Sequence, residues 1–315
     1  MIVEHDGGHV IPGMPDVHAA VTDFLQAMAY HPPMSGSSVP SMKPTPGVPL
    51  EVPLWPGRAR PAIRVFVPDA DLTRSRPALV IFRGGGYARA DGSGGGSGAW
   101  AARHGLVAVE VDYGTRSTQS FHPGPYADAA RAVRLVRAHA RDWGVDPARV
   151  GALGYSAGGH LASLLSTQPS LWISPDDDLA PRISARPDLV VLAYPLISFV
   201  DQYAPSAFLG SAENFFGRAD VSKAERRQFS SELHVEPTHP PVFLWTTAED
   251  AVIPASHSQQ FADACRRAHV PISFTLFPHG PHAMGLALDQ PGDVGTWTIQ
   301  LLAWLDQQWG PGTTR

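Results

Sequence analysis

The sequence has very little cysteine and no run of basic residues, and each of these absences removes a class of function. Cys265 is the one cysteine among 315 residues, so neither an intrachain disulfide nor a thiolate metal cluster can form. Only Lys43 and Lys223 are lysines, and no run of basic residues stands out in a chain of net charge −5. Because phosphate binding needs clustered cations, nucleic acid is not expected as a partner.

The chain also lacks a long apolar run. Its most apolar stretch, residues 189–200, is too short to span a bilayer and contains Pro195. The residues that follow Met1 have neither the basic nor the apolar region of a secretory leader. We therefore expect no membrane partner and a location in the reducing cytoplasm.

Glycine and proline, in contrast, are abundant, at 30 and 31 residues. The hydrophobic content of 43% is too high for a disordered chain, so this excess indicates a folded protein rich in loops. Residues 1–55 hold much of the proline and one helical stretch at 17–30, and they are predicted to form an N-terminal arm or lid. Residues 56–315 are predicted to form the main domain.

From about residue 60, short apolar strands alternate with amphipathic helices, which predicts an α/β fold with a mostly parallel sheet covered on both faces. Strands are predicted at 62–67, 78–82, 106–111, 149–155, 189–194, 241–245 and 272–277. Helices are predicted near Ala99 and at 126–143, 157–167, 256–269 and 296–309. The segment from about 198 to 235 interrupts the alternation and is predicted to be a small cap insertion.

A candidate nucleophile lies between a strand and a helix. Residues 154–158, Gly-Tyr-Ser-Ala-Gly, place Ser156 where the predicted strand ends and a helix begins. This strand–turn–helix context is typical of the strained elbow that exposes a nucleophilic serine. An ordinary serine that caps a helix is the alternative interpretation.

A glycine run follows an earlier strand. Residues 82–87, Phe-Arg-Gly-Gly-Gly-Tyr, come directly after the predicted strand at 78–82. Glycines let backbone N–H groups approach a developing oxyanion closely. A phosphate-binding P-loop would need a Gly-Lys-Ser/Thr ending, and no lysine lies between Lys43 and Lys223. A plain turn is the alternative.

A serine nucleophile needs a base and an orienting carboxylate. Asp250 follows the strand at 241–245, and His282 follows the last strand, so the order Ser156, Asp250, His282 fits this architecture. Glu249 is the rival acid and His279 the rival base. His279 and His282 also form an H-x-x-H spacing, but no third metal ligand is suggested.

Two other polar groups receive structural interpretations. His160, four residues after the candidate nucleophile, is predicted to be a packed helical residue rather than a base. Residues 176–178, Asp-Asp-Asp, are predicted to be a solvated loop, with a cation site as the alternative.

With these motifs the chain resembles the α/β-hydrolase superfamily over about residues 60–310. Within it, the chain is similar to small carboxylesterases of the acetyl xylan and feruloyl esterase-like (BD-FAE) type and to their hormone-sensitive-lipase-like relatives. The resemblance implies Ser156 as nucleophile, Asp250 as acid and His282 as base, with oxyanion donors at Gly85, Gly86 and Ala157. It also implies that no metal or organic cofactor is used. Arg83 departs from the family pattern, where His or Pro usually precedes the glycines.

The function expected from these features is hydrolysis of short-chain acyl esters through an acyl-enzyme. The substrates considered are acetyl or feruloyl esters of sugars, with Tyr87 and Tyr155 predicted to contact them. An amidase or formamidase, or an aryl-ester hydrolase, would use the same groups. A hydrolase-fold receptor without catalysis is the alternative outside enzymes. The partner is then a small-molecule or carbohydrate ester, and the oligomeric state, a homodimer included, is left open.

Overall fold

In the computed structural model of this chain, the described residues are 43–69, 74–200 and 206–314, without the side chains of 206–209. Residues 42–315 form one compact unit. Residues 1–42, which include most of the predicted arm and its predicted helix at 17–30, lie outside the described residues.

An eight-stranded sheet organises the described part of the chain, in the order β1-β2-β4-β3-β5-β6-β7-β8. The strands are β1 (Leu50–Pro53), β2 (Ala62–Phe66), β3 (Arg76–Phe82), β4 (Val107–Asp112), β5 (Val145–Tyr155), β6 (Val190–Ala193), β7 (Val242–Thr247) and β8 (Ile272–Phe277). β2 runs antiparallel to β1 and β4, and all other neighbours are parallel. β1 lies inside the segment predicted as an arm, so the sheet begins at Leu50.

Helices connect the strands. They are α1 (Ser97–Arg103), α2 (Gly124–Ala138), α3 (Ala140–Trp143), α4 (Ala157–Thr167), α5 (Ser206–Phe216), α6 (Lys223–Gln228), α7 (Ser256–Arg267) and α8 (Trp297–Trp309). Among these, none combines the length and the apolar character needed to cross a bilayer. α5 and α6 lie between β6 and β7, in the segment predicted as a cap.

The sheet buries both of its faces, as the short apolar strands predicted. Along β3, Val80 and Phe82 point into one apolar cluster, which also holds Leu161 of α4. Ile81, between them, points into a second cluster with Leu301 of α8. Alternate side chains of a strand point to opposite faces, so a strand apolar at every position needs helices on both sides.

The predicted helix at 126–143 is divided in two. At His139 the backbone leaves helical geometry, with φ −96° and ψ 14°, so α2 ends and α3 begins. The His139 ring stacks on Trp143, with centroids 4.8 Å apart. The apolar spacing continues across the break, and periodicity therefore does not detect it. Gly144 ends α3 in the left-handed conformation, at φ 65°, which glycine adopts without a steric penalty.

The prediction of a solvated loop at 176–178 is wrong for its central residue. The side chain of Asp177 is 1% exposed, and its two oxygens accept hydrogen bonds from Arg131 and Arg134, each at 2.6 Å. Arg131 in turn lies over the ring of Trp55, 4.8 Å from its centroid. The two arginines are three residues apart on α2, so they share one helix face and converge on a single carboxylate.

Replacing Asp177 with alanine is expected to lower the free energy of unfolding by about 3–5 kcal/mol, because the buried Arg134 loses its counter-ion and the buried Arg131 keeps only the exposed Asp178. Urea denaturation followed by tryptophan fluorescence measures this loss. Asp176→Ala is the matched control, since Asp176 pairs with Arg58 in solvent and exposed pairs contribute at most about 1 kcal/mol. Equal losses in the two variants would contradict the prediction.

Candidate active site

Ser156 occupies a sharp turn between β5 and α4. Its backbone is at φ 52° and ψ −119°, a strained conformation for a residue with a side chain. Gly154 and Gly158 permit this turn. A Cβ on Gly158 would collide with the carbonyl of Phe82, and one on Gly154 would collide with the carbonyl of Gly158. The turn presents the Ser156 hydroxyl at the carboxyl end of the sheet, at the N-terminus of α4.

The predicted acid, base and nucleophile form one hydrogen-bonded line. Ser156 Oγ lies 2.8 Å from His282 Nε2, and His282 Nδ1 lies 2.7 Å from Asp250 Oδ2. An ionised carboxylate only accepts, so Nδ1 carries the proton and Nε2 is free to accept from the serine hydroxyl. This is the geometry of a serine that has a base within reach.

Asp250 is held by its own loop, which follows β7. Its Oδ1 accepts hydrogen bonds from the backbone N–H groups of Val252 and Ile253, at 2.9 and 2.8 Å. The side chain is 1% exposed, against 11% for His282. Both carboxylate oxygens thus have partners, and the oxygen that faces His282 cannot rotate away.

The glycine loop after β3 lies beside the nucleophile. A Cβ on Gly84 would come within 3.1 Å of the Ser156 Cβ. Gly85 and Gly86 adopt positive φ angles of 143° and 59°, which few other residues adopt without strain. Among the described residues, no hydrogen bond uses the N–H groups of Gly85, Gly86 or Ala157. Within the described part of the chain these three N–H groups are therefore unused donors; Ala157 follows Ser156 directly, and Gly85 and Gly86 line the same cavity as Ser156.

A cavity of about 600 Å³ opens in front of these groups. Its polar side chains are Arg89, Asp91, Ser93, Ser156, Ser211, Asn214 and His282. Its remaining lining consists of Gly85, Gly86, Ala88, Gly92, Gly210, Val252, Ile253 and Ala283. Ser156, His282 and the glycine loop thus share one cavity, and residues of α5 form part of its wall.

Tyr87 and Tyr155 do not occupy the positions predicted for substrate contact. Both are 0% exposed, and neither lines the cavity. The Tyr87 hydroxyl lies 2.7 Å from His160 Nδ1, and that of Tyr155 lies 2.7 Å from Ser97 Oγ. Burial raises the pKa of both phenols well above the usual range. Nearness in sequence to the nucleophile and the glycine loop was misleading, because each ring turns into the core.

His160 is a packed helical residue, as predicted. It is fully buried, and its Nε2 lies 2.6 Å from the carbonyl of Phe229. A carbonyl only accepts, so Nε2 carries the proton and Nδ1 accepts from the Tyr87 hydroxyl. Burial lowers the pKa of His160 to about 4, which keeps the ring neutral. Through these two bonds α4 is tied to the glycine loop and to the end of the cap segment.

The rival acid and the rival base pair with each other. Glu249 Oε1 lies 2.9 Å from His279 Nδ1, and the two side chains are 58% and 80% exposed. Hydrogen bonds from His279 and Gly280 lower the pKa of the Glu249 carboxyl. His279 and His282 have different partners, and the described residues hold no cluster of three or more metal-ligating side chains.

Tyr194 is a site residue that the sequence analysis missed. It follows β6 with a positive φ of 38°, and its ring packs against that of His282 in a T-shaped arrangement, with the ring centroids 5.0 Å apart. Its hydroxyl accepts a hydrogen bond from the N–H of Gly285 at 2.8 Å, which holds the loop that carries His282. The sequence marked this position only as the end of an apolar strand, a signal that reports burial and not contact with the base.

The sequence model of the BD-FAE family matches residues 64–265. Acetylxylan esterase of Xylanibacter ruminicola is 29% identical over 238 residues, which cover 74% of this chain and 44% of that protein. Endo-1,4-beta-xylanase B of Butyrivibrio fibrisolvens is 33% identical over 223 residues, 68% of this chain and 33% of that protein. The chain thus spans between a third and somewhat under half of the length of these two relatives.

One solved structure is similar to this chain over most of the length of both proteins. The acetyl ester-xyloside bifunctional hydrolase from Caldicellulosiruptor lactoaceticus matches with a TM-score of 0.73 and 33% identity, covering 82% of this chain and 96% of that one. Together with the mostly parallel eight-stranded sheet, this similarity confirms the α/β-hydrolase fold that the sequence predicted.

Proposed function

The chain belongs to the BD-FAE family, and from that premise we propose that it is a serine esterase that hydrolyses short-chain acyl esters. The observation that carries the proposal is the line from Ser156 Oγ through the His282 ring to Asp250, at 2.8 and 2.7 Å. The unused N–H groups of the glycine loop lie beside it. A hydroxyl with a base and with donors for an oxyanion is equipped for acyl transfer.

The proposed reaction has two halves. In the first, His282 Nε2 takes the proton of Ser156 as Oγ attacks the ester carbonyl. The N–H groups of Gly85, Gly86 and Ala157 stabilise the oxyanion of the tetrahedral intermediate. His282 then gives the proton to the departing alkoxide, which leaves as the alcohol, and an acyl-enzyme forms. Asp250 holds His282 in the required tautomer and stabilises its charged form.

In the second half, water takes the place of the alcohol. His282 accepts a proton from the water as its oxygen attacks the acyl carbonyl, and the same three N–H groups stabilise the second oxyanion. Collapse of this intermediate returns the proton to Ser156 Oγ and releases the carboxylic acid. The free enzyme is regenerated without a metal or an organic cofactor in either half.

We propose an acetylated sugar as the substrate class. The cavity wall carries hydroxyl, amide and charged groups, at Ser93, Ser211, Asn214, Arg89 and Asp91, which suit an alcohol rich in hydroxyls. The similarity to an acetylxylan esterase supports the same choice. Feruloyl esters of sugars are the alternative substrates; they share the sugar alcohol with acetylated sugars and differ in the size of the acyl group.

Turnover of p-nitrophenyl esters is expected to be fastest for acetate and to fall as the acyl chain lengthens. Acetylated xylan should release acetate, and methyl ferulate tests the larger acyl group. A fluorophosphonate probe should add one mass label, on Ser156, and abolish the activity. No turnover and no label would indicate a non-catalytic receptor, and turnover restricted to anilides or formamides would indicate an amidase. Either result overturns the proposal.

A further inference from the structure

The side chain of Asn214 joins the cap helix α5 to the glycine loop by a hydrogen bond. Asn214 Nδ2 donates a hydrogen bond to the carbonyl of Gly86 at 3.0 Å. Asn214 Oδ1 accepts one from the guanidinium of Arg116 at 3.1 Å. A carbonyl only accepts and a guanidinium only donates, so these two partners determine which way the amide faces. The side-chain amide of Asn214 therefore cannot rotate by 180° without losing both hydrogen bonds.

Four consecutive carbonyls of the loop, those of residues 84–87, each accept a hydrogen bond. The carbonyls of Gly84 and Gly85 accept from the N–H groups of Gly92 and Ala88, each at 3.0 Å. The carbonyl of Tyr87 accepts from the backbone N–H of Arg116 at 2.9 Å. The carbonyl of Gly86 accepts from Asn214. Among these four, Gly86 is the one held by a side chain, and that side chain belongs to the cap.

This bond orients the peptide between Gly86 and Tyr87, which directly follows the proposed oxyanion donor, the N–H of Gly86. Gly86 has no Cβ to oppose rotation of the peptide that follows it. A rotated peptide could point the Gly86 carbonyl at the position of the developing oxyanion, beside the N–H groups that stabilise it. A carbonyl dipole in that place would destabilise the charge that the site has to hold.

We propose that Asn214 is a positioning residue for the oxyanion site: it holds the Gly86 peptide in the orientation that catalysis needs and makes the cap part of the catalytic apparatus. The inference rests on the proposed esterase function. Arg116 supports Asn214 by fixing its amide. Asn214 acts through Gly86 and does not itself exchange protons with the substrate.

The cap helix has a separate anchor, so the role of Asn214 can be tested without unfolding the helix. The next residue, Phe215, is fully buried, and its ring lies 4.8 Å from that of Tyr87. It also contacts the ring of Phe229 at 5.3 Å. These apolar contacts do not involve the Asn214 amide, and they hold α5 against the domain in its absence.

The decisive variant is Asn214→Asp, which has the same shape and still accepts from Arg116. It has no N–H for the Gly86 carbonyl and brings a negative charge to it. We expect kcat on p-nitrophenyl acetate to fall by about 10–100-fold, in line with the loss of oxyanion stabilisation. KM should change less than about threefold, because the ground-state ester does not need the oxyanion site. A trifluoromethyl ketone, which forms an oxyanion adduct, should lose affinity by a similar factor.

Glu213→Gln is the matched control, a neutralised neighbour on the same helix, and wild-type kinetics are expected for it. Asn214→Ala provides a second variant if Asn214→Asp does not fold, with circular dichroism and the thermal midpoint measured for each. A kcat for both Asn214 variants within threefold of the control, or a loss confined to KM, overturns the inference and leaves the esterase function intact. A wild-type protein without turnover or phosphonate labelling overturns the esterase function, and this inference with it.

Discussion

Replacing Ser156 with alanine is expected to lower kcat on p-nitrophenyl acetate by about 10³–10⁶-fold, the range seen when a triad nucleophile is removed. Without Oγ, His282 has no proton to take from the protein and no acyl-enzyme can form. The remaining activity would come from binding and from the oxyanion donors, acting on a water molecule. Steady-state kinetics with a burst-phase measurement on the wild type provide the comparison.

The serine variant has a clear internal control. Alanine keeps the Cβ of serine and is expected to adopt the same strained turn, at φ 52° in the wild type, so the thermal midpoint should stay close to that of the wild type. The fluorophosphonate label should disappear from the intact mass of the variant. Wild-type turnover in a folded Ser156→Ala protein would show that another group is the nucleophile.

Replacing Asp250 with asparagine is expected to lower kcat by about 10⁴-fold, because the base is left in the wrong tautomer. The backbone donors at Val252 and Ile253 can still bond to the amide oxygen. The amide nitrogen then faces His282 Nδ1 and donates to it. The proton of the ring moves to Nε2, which can no longer accept from the Ser156 hydroxyl, at 2.8 Å in the wild type.

The residue beside Asp250 provides the matched control. Glu249 is also acidic and lies in the same loop, but it pairs with His279 in solvent and not with His282. Glu249→Gln should keep kcat within about threefold of the wild type, since exposed pairs contribute little. A large loss in Glu249→Gln, with Asp250→Asn close to wild type, would reverse the assignment of the acid.

Local pattern predicted the elements of the fold well where sequence and environment agree. Short apolar strands predicted a sheet covered on both faces, and the structure buries alternate residues of β3 in two clusters. The pattern did not detect the edge strand β1, whose residues are partly exposed. It also missed the helix break at His139, because the apolar spacing runs through it. Hydrophobic periodicity indicates which face of an element is buried. It therefore detects neither a partly exposed edge strand such as β1 nor a helix break, such as that at His139, that leaves the buried face unchanged.

The site predictions failed where a residue was judged by its neighbours in sequence. Tyr87 follows the glycine loop and Tyr155 precedes the nucleophile, yet both rings are buried away from the cavity. Asp177 lies in an acidic run that looked solvated, but it neutralises two arginines of α2. The partners of these residues are between 43 and 73 positions away, and no local signal carries that information.

The sequence by itself determined the chemistry available to this protein: a serine at a strand–helix turn, a glycine loop, and an acid and a base placed after late strands in the expected order. The carboxyl ends of parallel strands meet at one edge of a sheet, so even the meeting of these groups was predictable. Only the tertiary structure shows that Asp250, and not Glu249, is hydrogen-bonded to His282, and that His282, and not His279, reaches Ser156. It also brought Tyr194 to the base and Asn214 to the glycine loop. Those outcomes depend on side-chain directions and long-range contacts, which are decided only when the whole chain has packed.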